Sequence, residues 1–152
     1  MSGLVSGLVG IQTMAAQPAV LATSANQSDV TGNGTVYTVT FTTEVFDQNS
    51  DFASSTFTAP VTGKYLLCAN LSWGGLTNAA SDMQIILVET DLSRTLFVGG
   101  GGEAAAVSGG CHMLIMDMDA GNTCTVTLTV SEIGSDTVDI RSDSSFTAAL
   151  LA

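Results

Sequence analysis

The sequence predicts an all-β domain, a sandwich or barrel built from many short strands. Residues 35–41 alternate, with Tyr37, Val39 and Phe41 on one face and threonines on the other, and residues 124–130 alternate in the same way. A period of two in β-branched residues is typical of strands. No segment has an apolar period of 3.6 residues, and turn-forming residues separate the strand candidates at short intervals. Together these observations favour an all-β sandwich or barrel.

The first 17 residues differ from the rest of the chain. The tetrapeptide Ser-Gly-Leu-Val occurs twice in succession, at residues 2–5 and 6–9. Its glycines argue against a stable free helix. The segment is either a disordered tail or an arm that orders only against a partner. We expect an anchoring arm over residues 1–17, whose contacts are made by Leu4, Val5, Leu8, Val9 and Ile11.

Further strand candidates are residues 63–70, 83–90, 95–98, 111–118, 137–140 and 145–151, and predicted turns are residues 31–34, 48–51, 73–75, 99–102, 120–122 and 134–136. Two segments, 64–71 and 112–116, are apolar on both faces. A sandwich strand needs only one apolar face for its core. The second face is covered either by a long loop or by a subunit interface, and we expect the interface.

The charge balance excludes two classes of partner. The net charge is −11, from 14 acidic residues and only three basic ones, Lys64, Arg94 and Arg141. Nucleic-acid binding needs clustered Lys and Arg, and so does binding to an anionic membrane. Charged residues are 11% of the chain, against about 25% in ordinary domains. A surface so poor in charge indicates coverage by copies of itself or by other proteins.

The cysteines and the chain start give expectations about compartment. Cys68, Cys111 and Cys124 are odd in number and form no CxxC pair, so neither a zinc site nor a disulfide framework is indicated. The start has no basic n-region of a secretory signal, and no apolar run approaches the ~20 residues of a membrane span. We expect the chain to fold in a host cytoplasm and to leave it only within a larger particle.

One segment resembles the signature of C1q domains, Phe-x-x-Pro-x-x-Gly-x-Tyr-x-Phe. Phe57, Pro60, Gly63 and Tyr65 match it in spacing, and Leu67 replaces the last Phe. That replacement keeps an apolar side chain.

Two further landmarks follow in the family's order. Residues 114–126 are similar to its Leu…Gly-Asp-x-Val stretch, and residues 145–151 to its closing Phe-Ser-Gly-x-Leu strand, with Ala148 where Gly is usual. Residues 18–22 and 30–37 look like the bacteriophage and bacterial branch of the family. The collagen-type repeats that precede the animal members are absent from this sequence.

The resemblance implies a C1q/TNF-like jelly roll of ten strands over residues 18–152, assembled as a tight homotrimer. In the family, the C-terminal strand and the strand after Pro-x-x-Gly lie near the threefold axis. By alternation, the side chains that face the core should be Tyr65, Leu67, Phe146, Ala148 and Leu150. The trimer interface should then be formed by Leu66, Cys68, Asn70, Thr147, Ala149 and Leu151.

No pattern in the sequence indicates catalysis. His112, the only histidine, lies in an apolar strand beside Cys111, and adjacent residues of a strand point to opposite faces. The two therefore cannot act as nucleophile and base, and we expect a structural histidine. Asp117 and Asp119, near Asn122, fit either a calcium site or a solvated turn, and we favour the turn. We predict no enzyme, no catalytic residue, no metal and no cofactor.

Two loop candidates concern ligand binding. Trp73, the only tryptophan, precedes two glycines. It is a candidate ligand residue that stacks on a sugar at a loop tip, or a buried residue of the core or interface, which we favour. The four glycines at residues 99–102 lack the following Gly-Lys-Ser/Thr of a phosphate loop and predict a flexible loop.

The expected function is that of a non-enzymatic structural phage virion protein. We expect a trimeric capsid decoration (cement) or head-fibre protein on the virion exterior, anchored to other virion proteins by its arm. The alternative is the receptor-binding tip of a tail fibre or tailspike, which would bind a host glycan or protein through its loops. The short arm and the lack of a fibrous shaft favour the first.

Overall fold

The computed structural model describes residues 17–98 and 108–152. They form thirteen strands: β1 (Ala19–Thr23), β2 (Gln27–Thr31), β3 (Val36–Thr38), β4 (Thr43–Gln48), β5 (Phe52–Ala53), β6 (Thr56–Thr58), β7 (Gly63–Gly74), β8 (Asp82–Glu89), β9 (Ser93–Phe97), β10 (Ser108–Met118), β11 (Thr123–Ser131), β12 (Val138–Ile140) and β13 (Ser145–Leu150). This part of the chain contains no helix that is long and apolar enough to cross a membrane. The predicted arm, residues 1–17, falls almost wholly outside the described residues, as does the predicted glycine loop at 99–102.

The strands form two antiparallel sheets that pack as a sandwich. The first sheet has the order β2-β12-β7-β13-β1-β4, and β10 also pairs with β7. The second has the order β5-β6-β11-β8-β9, and β3 also pairs with β11. The predicted all-β sandwich is confirmed. Thirteen strands exceed the ten that the resemblance implies, and seven of them have only two to five residues: β1, β2, β3, β5, β6, β9 and β12.

The core lies between the sheets and contains most of the aromatic rings. Phe146 on β13 packs against Phe52 and Phe41, with ring centroids 5.6 Å and 5.9 Å away. Phe57 on β6 meets Tyr65 on β7 edge to face at 5.5 Å. Such ring pairs add roughly 0.5–1.5 kcal/mol each to the burial of their area. The predicted core residues are confirmed: Tyr65, Leu67, Phe146 and Ala148 are buried, and Leu150 packs against them partly buried.

The predicted strand at residues 35–41 is shorter in the structure, because the chain changes sheets there. The Val39 N–H donates to Val126 of the second sheet at 2.9 Å, whereas the Thr42 N–H donates to Thr23 of the first at 2.9 Å. Regular pairing therefore ends with β3. Tyr37, Val39 and Phe41 still share the inward side, as the alternation predicted, whereas Val36 is exposed on the other side.

The predicted turn at residues 73–75 begins later than expected. Trp73 and Gly74 continue β7, and the chain turns at Gly75, whose φ is +80°. A Cβ added to Gly75 would lie 2.0 Å from the carbonyl oxygen of Thr137. Only glycine fits both that left-handed conformation and that close approach.

Candidate functional site

The outward side of the first sheet carries two rows of mostly apolar side chains across β10, β7, β13, β1 and β4. In the strand register, one row consists of Ile115, Leu66, Ala149 and Ala19. The next row consists of Met113, Cys68, Thr147, Leu21 and Phe46. We call these nine residues the apolar face. Each strand has period two, so the same strands that fill the core with one side form this face with the other.

The apolar face is exposed at its two edge strands in the single chain, and its six residues on β7, β13 and β1 are half-buried. Met113 is 61% exposed, Ile115 59% and Phe46 46%. Charge appears only at its border, where Lys64 on β7 and Asp117 on β10 form an ion pair at 3.2 Å. Both partners are largely exposed, so this pair contributes at most about 1 kcal/mol. Contiguous exposed apolar surface of this kind marks an interaction site.

The outward side of the second sheet has a different composition. Strand β11 directs Thr125, Thr127 and Thr129 to this side, where Thr127 is buried beneath its neighbours, and Thr38 of β3 lies opposite Thr127. Two large apolar side chains are exposed on this sheet, and each lies opposite a polar residue: Val36 opposite Thr129, and Phe97 opposite Gln84. The second sheet therefore has interspersed apolar groups, without the continuous rows of the apolar face.

The structure brings the predicted interface residues together on one side. The side chains that point away from the core, as the alternation predicted, are those of Leu66, Cys68, Asn70, Thr147 and Ala149. Leu151 lies exposed just beyond β13. Their role in a trimer stays a prediction. Sequence reasoning flagged residues 112–116 as apolar on both faces, and Met113 as filler of the core or an interface, but included neither Met113 nor Ile115 among the trimer-interface residues. It missed Leu21 and Phe46, because no local signal shows that β1 and β4 join this sheet.

An acidic cleft lies at one end of the sandwich. It has a volume of about 310 Å³ and is lined by Thr62, Asp91, Asp117, Met118, Asp119 and Asn122. The cleft therefore contains all three residues for which the sequence offered a calcium site or a solvated turn: Asp117, Asp119 and Asn122. The Asn122 Nδ2 donates to Glu89 and to Asp91, at 2.7 Å each, and the Thr62 hydroxyl lies 3.3 Å from Asp119. In residues 17–98 and 108–152, no three His, Cys, Asp or Glu residues are placed to hold a metal ion.

Glu89, at the end of β8, is the buried carboxylate behind this cleft. One of its oxygens accepts the N–H groups of Asp91 and Leu92, both at 2.9 Å, and the other accepts the Asn122 amide. These bonds satisfy the carboxylate and fix the turn between β8 and β9. No local pattern indicates this role, because Glu89 and Asn122 meet only through the pairing of β8 with β11.

His112 and Cys111 lie on opposite sides of β10, as predicted. His112 faces the core and is buried, whereas Cys111 is exposed. Burial lowers the pKa of His112, and a backbone hydrogen bond with Ile85 raises it in part. The Nδ1 atom of His112 has no hydrogen-bond partner among the described residues. A buried neutral ring of this kind is structural.

Trp73 is not at a loop tip. It lies within β7, is 2% exposed and belongs to the core. A buried indole cannot stack on a sugar, so the candidate ligand role for Trp73 is not supported. The structure shows the buried alternative.

Comparisons with known proteins show the fold. No family model matches the chain, and no curated protein does. The globular domain of zebrafish complement 1qA protein matches with a TM-score of 0.65 at 16% identity, over 89% of this chain and 98% of that one. Murine APRIL at pH 5.0 matches with a TM-score of 0.60 at 12% identity, over 89% and 99%. The chain therefore has a C1q/TNF-like jelly-roll fold; at these identities the likeness is one of fold alone.

Proposed function

We propose that this chain is a non-enzymatic structural subunit that assembles as a homotrimer through its apolar face. The observation that carries the proposal is that face itself, five strands wide, with Met113 and Ile115 more than half exposed in the single chain. Covering it would remove apolar area from water at about 25 cal/mol per Å². A trimer is also what the resemblance to C1q domains implies.

Charge supports self-assembly through an apolar contact. Copies that each carry a net charge of −11 repel one another, so attraction between them has to come from apolar burial. The apolar face has no charged side chain in its two rows. A cyclic trimer repeats one contact three times around an axis, so each copy can cover part of its neighbour's face.

The non-enzymatic part of the proposal rests on how the reactive groups are used. His112 is buried and points away from Cys111. Burial, and secondarily the charge of Glu89, raises the pKa of the Cys124 thiol to about 12. The amide of Asn122 engages Glu89 and Asp91 of the acidic cleft. These arrangements support a structural role, rather than a catalytic one, for the His112 ring, the Cys124 thiol and the Asn122 amide.

We further propose that the trimer is a decoration or head-fibre protein on the exterior of a phage capsid, with residues 1–17 as its anchor. The likeness of residues 18–22 and 30–37 to the phage branch of the family supports this, as does the low share of charged residues. The receptor-binding tip remains the alternative. It would need an exposed ligand-binding side chain, and Trp73 does not supply one.

Substitution of Ile115 by Asp tests the trimer. Ile115 lies on the apolar face and is 59% exposed, so Ile115→Asp should leave the isolated subunit folded. Burying the new carboxylate in an interface costs several kcal/mol, which weakens assembly by at least about 100-fold. Val36→Asp is the matched control, since Val36 is also β-branched and 65% exposed but lies on the second sheet.

Sedimentation velocity measures the outcome, with circular dichroism as the check on folding. We expect trimers for the wild type and Val36→Asp, and folded monomers for Ile115→Asp. A wild-type chain that sediments as a monomer, or an Ile115→Asp chain that stays trimeric, would refute the proposal.

Immunogold labelling of purified phage particles tests the virion role. Gold on the head supports the decoration proposal, and a chain lacking residues 1–17 should then form trimers that no longer bind particles. Gold at the tail tip supports the receptor-binding alternative. Particles that carry no gold overturn the virion assignment and leave the trimer to be judged by sedimentation.

A further inference from the structure

Two thiols meet at the border of the apolar face although they are far apart in sequence: Cys68 belongs to the face and Cys111 lies in the adjoining row. The Sγ atoms of Cys68 on β7 and Cys111 on β10 lie 3.4 Å apart. In the register, Cys68 is opposite Met113 and Cys111 is opposite Asn70, so the two cysteines are diagonal neighbours on the outward side. Both are free thiols. The sequence indicated no disulfide framework, because its three cysteines are odd in number and form no CxxC pair. Only the pairing of β7 with β10 brings these two together.

We propose that Cys68 and Cys111 are a redox pair that closes into a disulfide between β7 and β10 when the subunit meets a small-molecule disulfide. Both thiols belong to one chain, so the inference goes beyond the proposed trimer and does not require it.

The geometry permits closure with small movements. A disulfide has an S–S distance of about 2.05 Å, so the two sulfurs have to approach by about 1.4 Å. Diagonal neighbours in an antiparallel pair have Cα atoms about 7–8 Å apart, slightly more than the roughly 4.4–6.8 Å that a disulfide spans, so the backbone also has to move. Closure therefore combines side-chain rotation with a local approach of the strands. Eleven residue pairs join β7 to β10, so the register holds while this occurs.

The two thiols have different positions and hence different roles. Cys111 is exposed, whereas Cys68 is half-buried. Burial raises the pKa of Cys68 to about 11, helped by the hydrogen bond and charge interaction with Cys111. A thiol whose pKa is raised is a poor first nucleophile at neutral pH, since the thiolate is the attacking species. The exposed Cys111 thiol is therefore the one that meets the oxidant.

The reaction balances as two successive exchanges. The Cys111 thiolate attacks one sulfur of the small disulfide, whose S–S bond breaks, and one small thiolate leaves. Cys68 then gives its proton to solvent and attacks the Cys111 sulfur of the mixed disulfide, and the second small thiolate leaves. The protein loses two hydrogens and is oxidised. The small disulfide is reduced to two thiols, which take up the released protons.

Oxidised glutathione is the probe, added to the full chain under native conditions at about pH 8. Remaining thiols are then alkylated in denaturant, and intact mass and peptide mapping give the pairing. We expect one alkylated thiol, at Cys124, and a linked pair of peptides that contain Cys68 and Cys111. Cys124 is buried with its pKa raised to about 12, so it is the internal control.

Three single variants separate the roles. Cys124→Ser should close the same disulfide as the wild type. Cys68→Ser should stop at a glutathione adduct on Cys111, because the second nucleophile is missing. Cys111→Ser should accumulate at least about tenfold less adduct on Cys68, since a buried thiol of raised pKa reacts slowly. Equal adduct formation in these last two variants would contradict the assigned order.

Three results would overturn the pair itself: three alkylated thiols after oxidation, a bond between chains on a non-reducing gel, or a bond that includes Cys124. The Ile115→Asp variant keeps this test apart from the test of the trimer. Its single-chain disulfide should form even when the subunit is monomeric. Closure in a wild-type chain that does not assemble would refute only the trimer. Assembly of the wild type together with failed closure in the monomeric Ile115→Asp variant, whose thiols are uncovered, would refute only the redox pair.

Discussion

Asn122 joins Asp91 of the acidic cleft to the buried Glu89 behind it, and the replacement of Asn122 by Asp gives a sharp test of that arrangement. The Asn122 Nδ2 donates to Glu89 Oε1 and to Asp91 Oδ2, at 2.7 Å each. Asn122→Asp preserves the size and shape of the side chain. It replaces a donor by a third negative group beside Glu89, which is buried.

The expected loss of stability follows from these bonds. A hydrogen bond to a charged group is worth about 1.5–3 kcal/mol, and the bond to the exposed Asp91 belongs at the low end. The loss of both bonds and the added repulsion together predict about 3–4 kcal/mol at neutral pH. For a chain of this size, that lowers the Tm by roughly 10 °C.

The loss should depend on pH with a definite sign. A carboxyl at position 122, next to two others, has its pKa raised in the folded state above the unfolded value of about 3.9. The destabilisation is therefore complete above the folded-state pKa. It shrinks as the pH falls through that value towards about 3.9, because the protonated group is uncharged and donates one O–H.

Thermal unfolding followed by circular dichroism measures the effect, at equal protein concentration because the Tm of an oligomer depends on it. Asn26→Asp is the matched control. Asn26 is exposed, and its Oδ1 accepts the Ser142 N–H at 2.9 Å, which a carboxylate also accepts. Its Tm should therefore stay within about 2 °C of the wild type. An equally small change for Asn122→Asp, or a loss that does not shrink on acidification, would refute this account. If calcium raises the Tm of the wild type, the cleft binds a cation, and the solvated turn is the wrong interpretation.

Two further predictions concern single buried side chains. Trp73 is 2% exposed, so its fluorescence should be blue-shifted and several-fold less quenched by iodide than in the denatured chain; emission like that of the denatured chain would contradict its burial. Burial lowers the pKa of His112 below 6.5, so its neutral form is favoured on folding, and stability should fall as the pH drops from 6.5 towards the folded-state pKa. His112→Gln should remove this part of the pH dependence in urea unfolding between about pH 6.5 and 5; identical slopes for the two chains would count against it.

The sequence predicted best the strands whose two sides have different environments. The alternation at residues 124–130 matches β11 (Thr123–Ser131) to within one residue at each end, because every second side chain enters the core. Strand β4 (Thr43–Gln48) went unpredicted. Its residues are mostly exposed, and it exists because it pairs with β1. Pairing between distant segments leaves no local period, so the sequence does not show it.

The sequence predicted which side chains of β7 and β13 point away from the core, but not which other strands continue the apolar face. Alternation along β7 and β13 correctly placed Leu66, Cys68 and Ala149 on the outward side. That β10 and β1 continue the same surface depends on strand order. In a jelly roll, strand order joins segments far apart in sequence. The Cys68–Cys111 contact was missed for the same reason, since 43 residues separate its two members.

The contrast between the two outward sides bears on what the chain is for. Both sheets fill one core with their inner sides, so the stability of the subunit places no demand on the apolar character of either outer side. The second sheet presents threonines there, while the first presents Met113 and Ile115 beside Cys111. A surface of that kind promotes aggregation unless a partner covers it. If assembly covers it, the reactivity of Cys111 with thiol reagents reports the fraction of uncovered faces, and that reactivity should fall as the protein concentration rises.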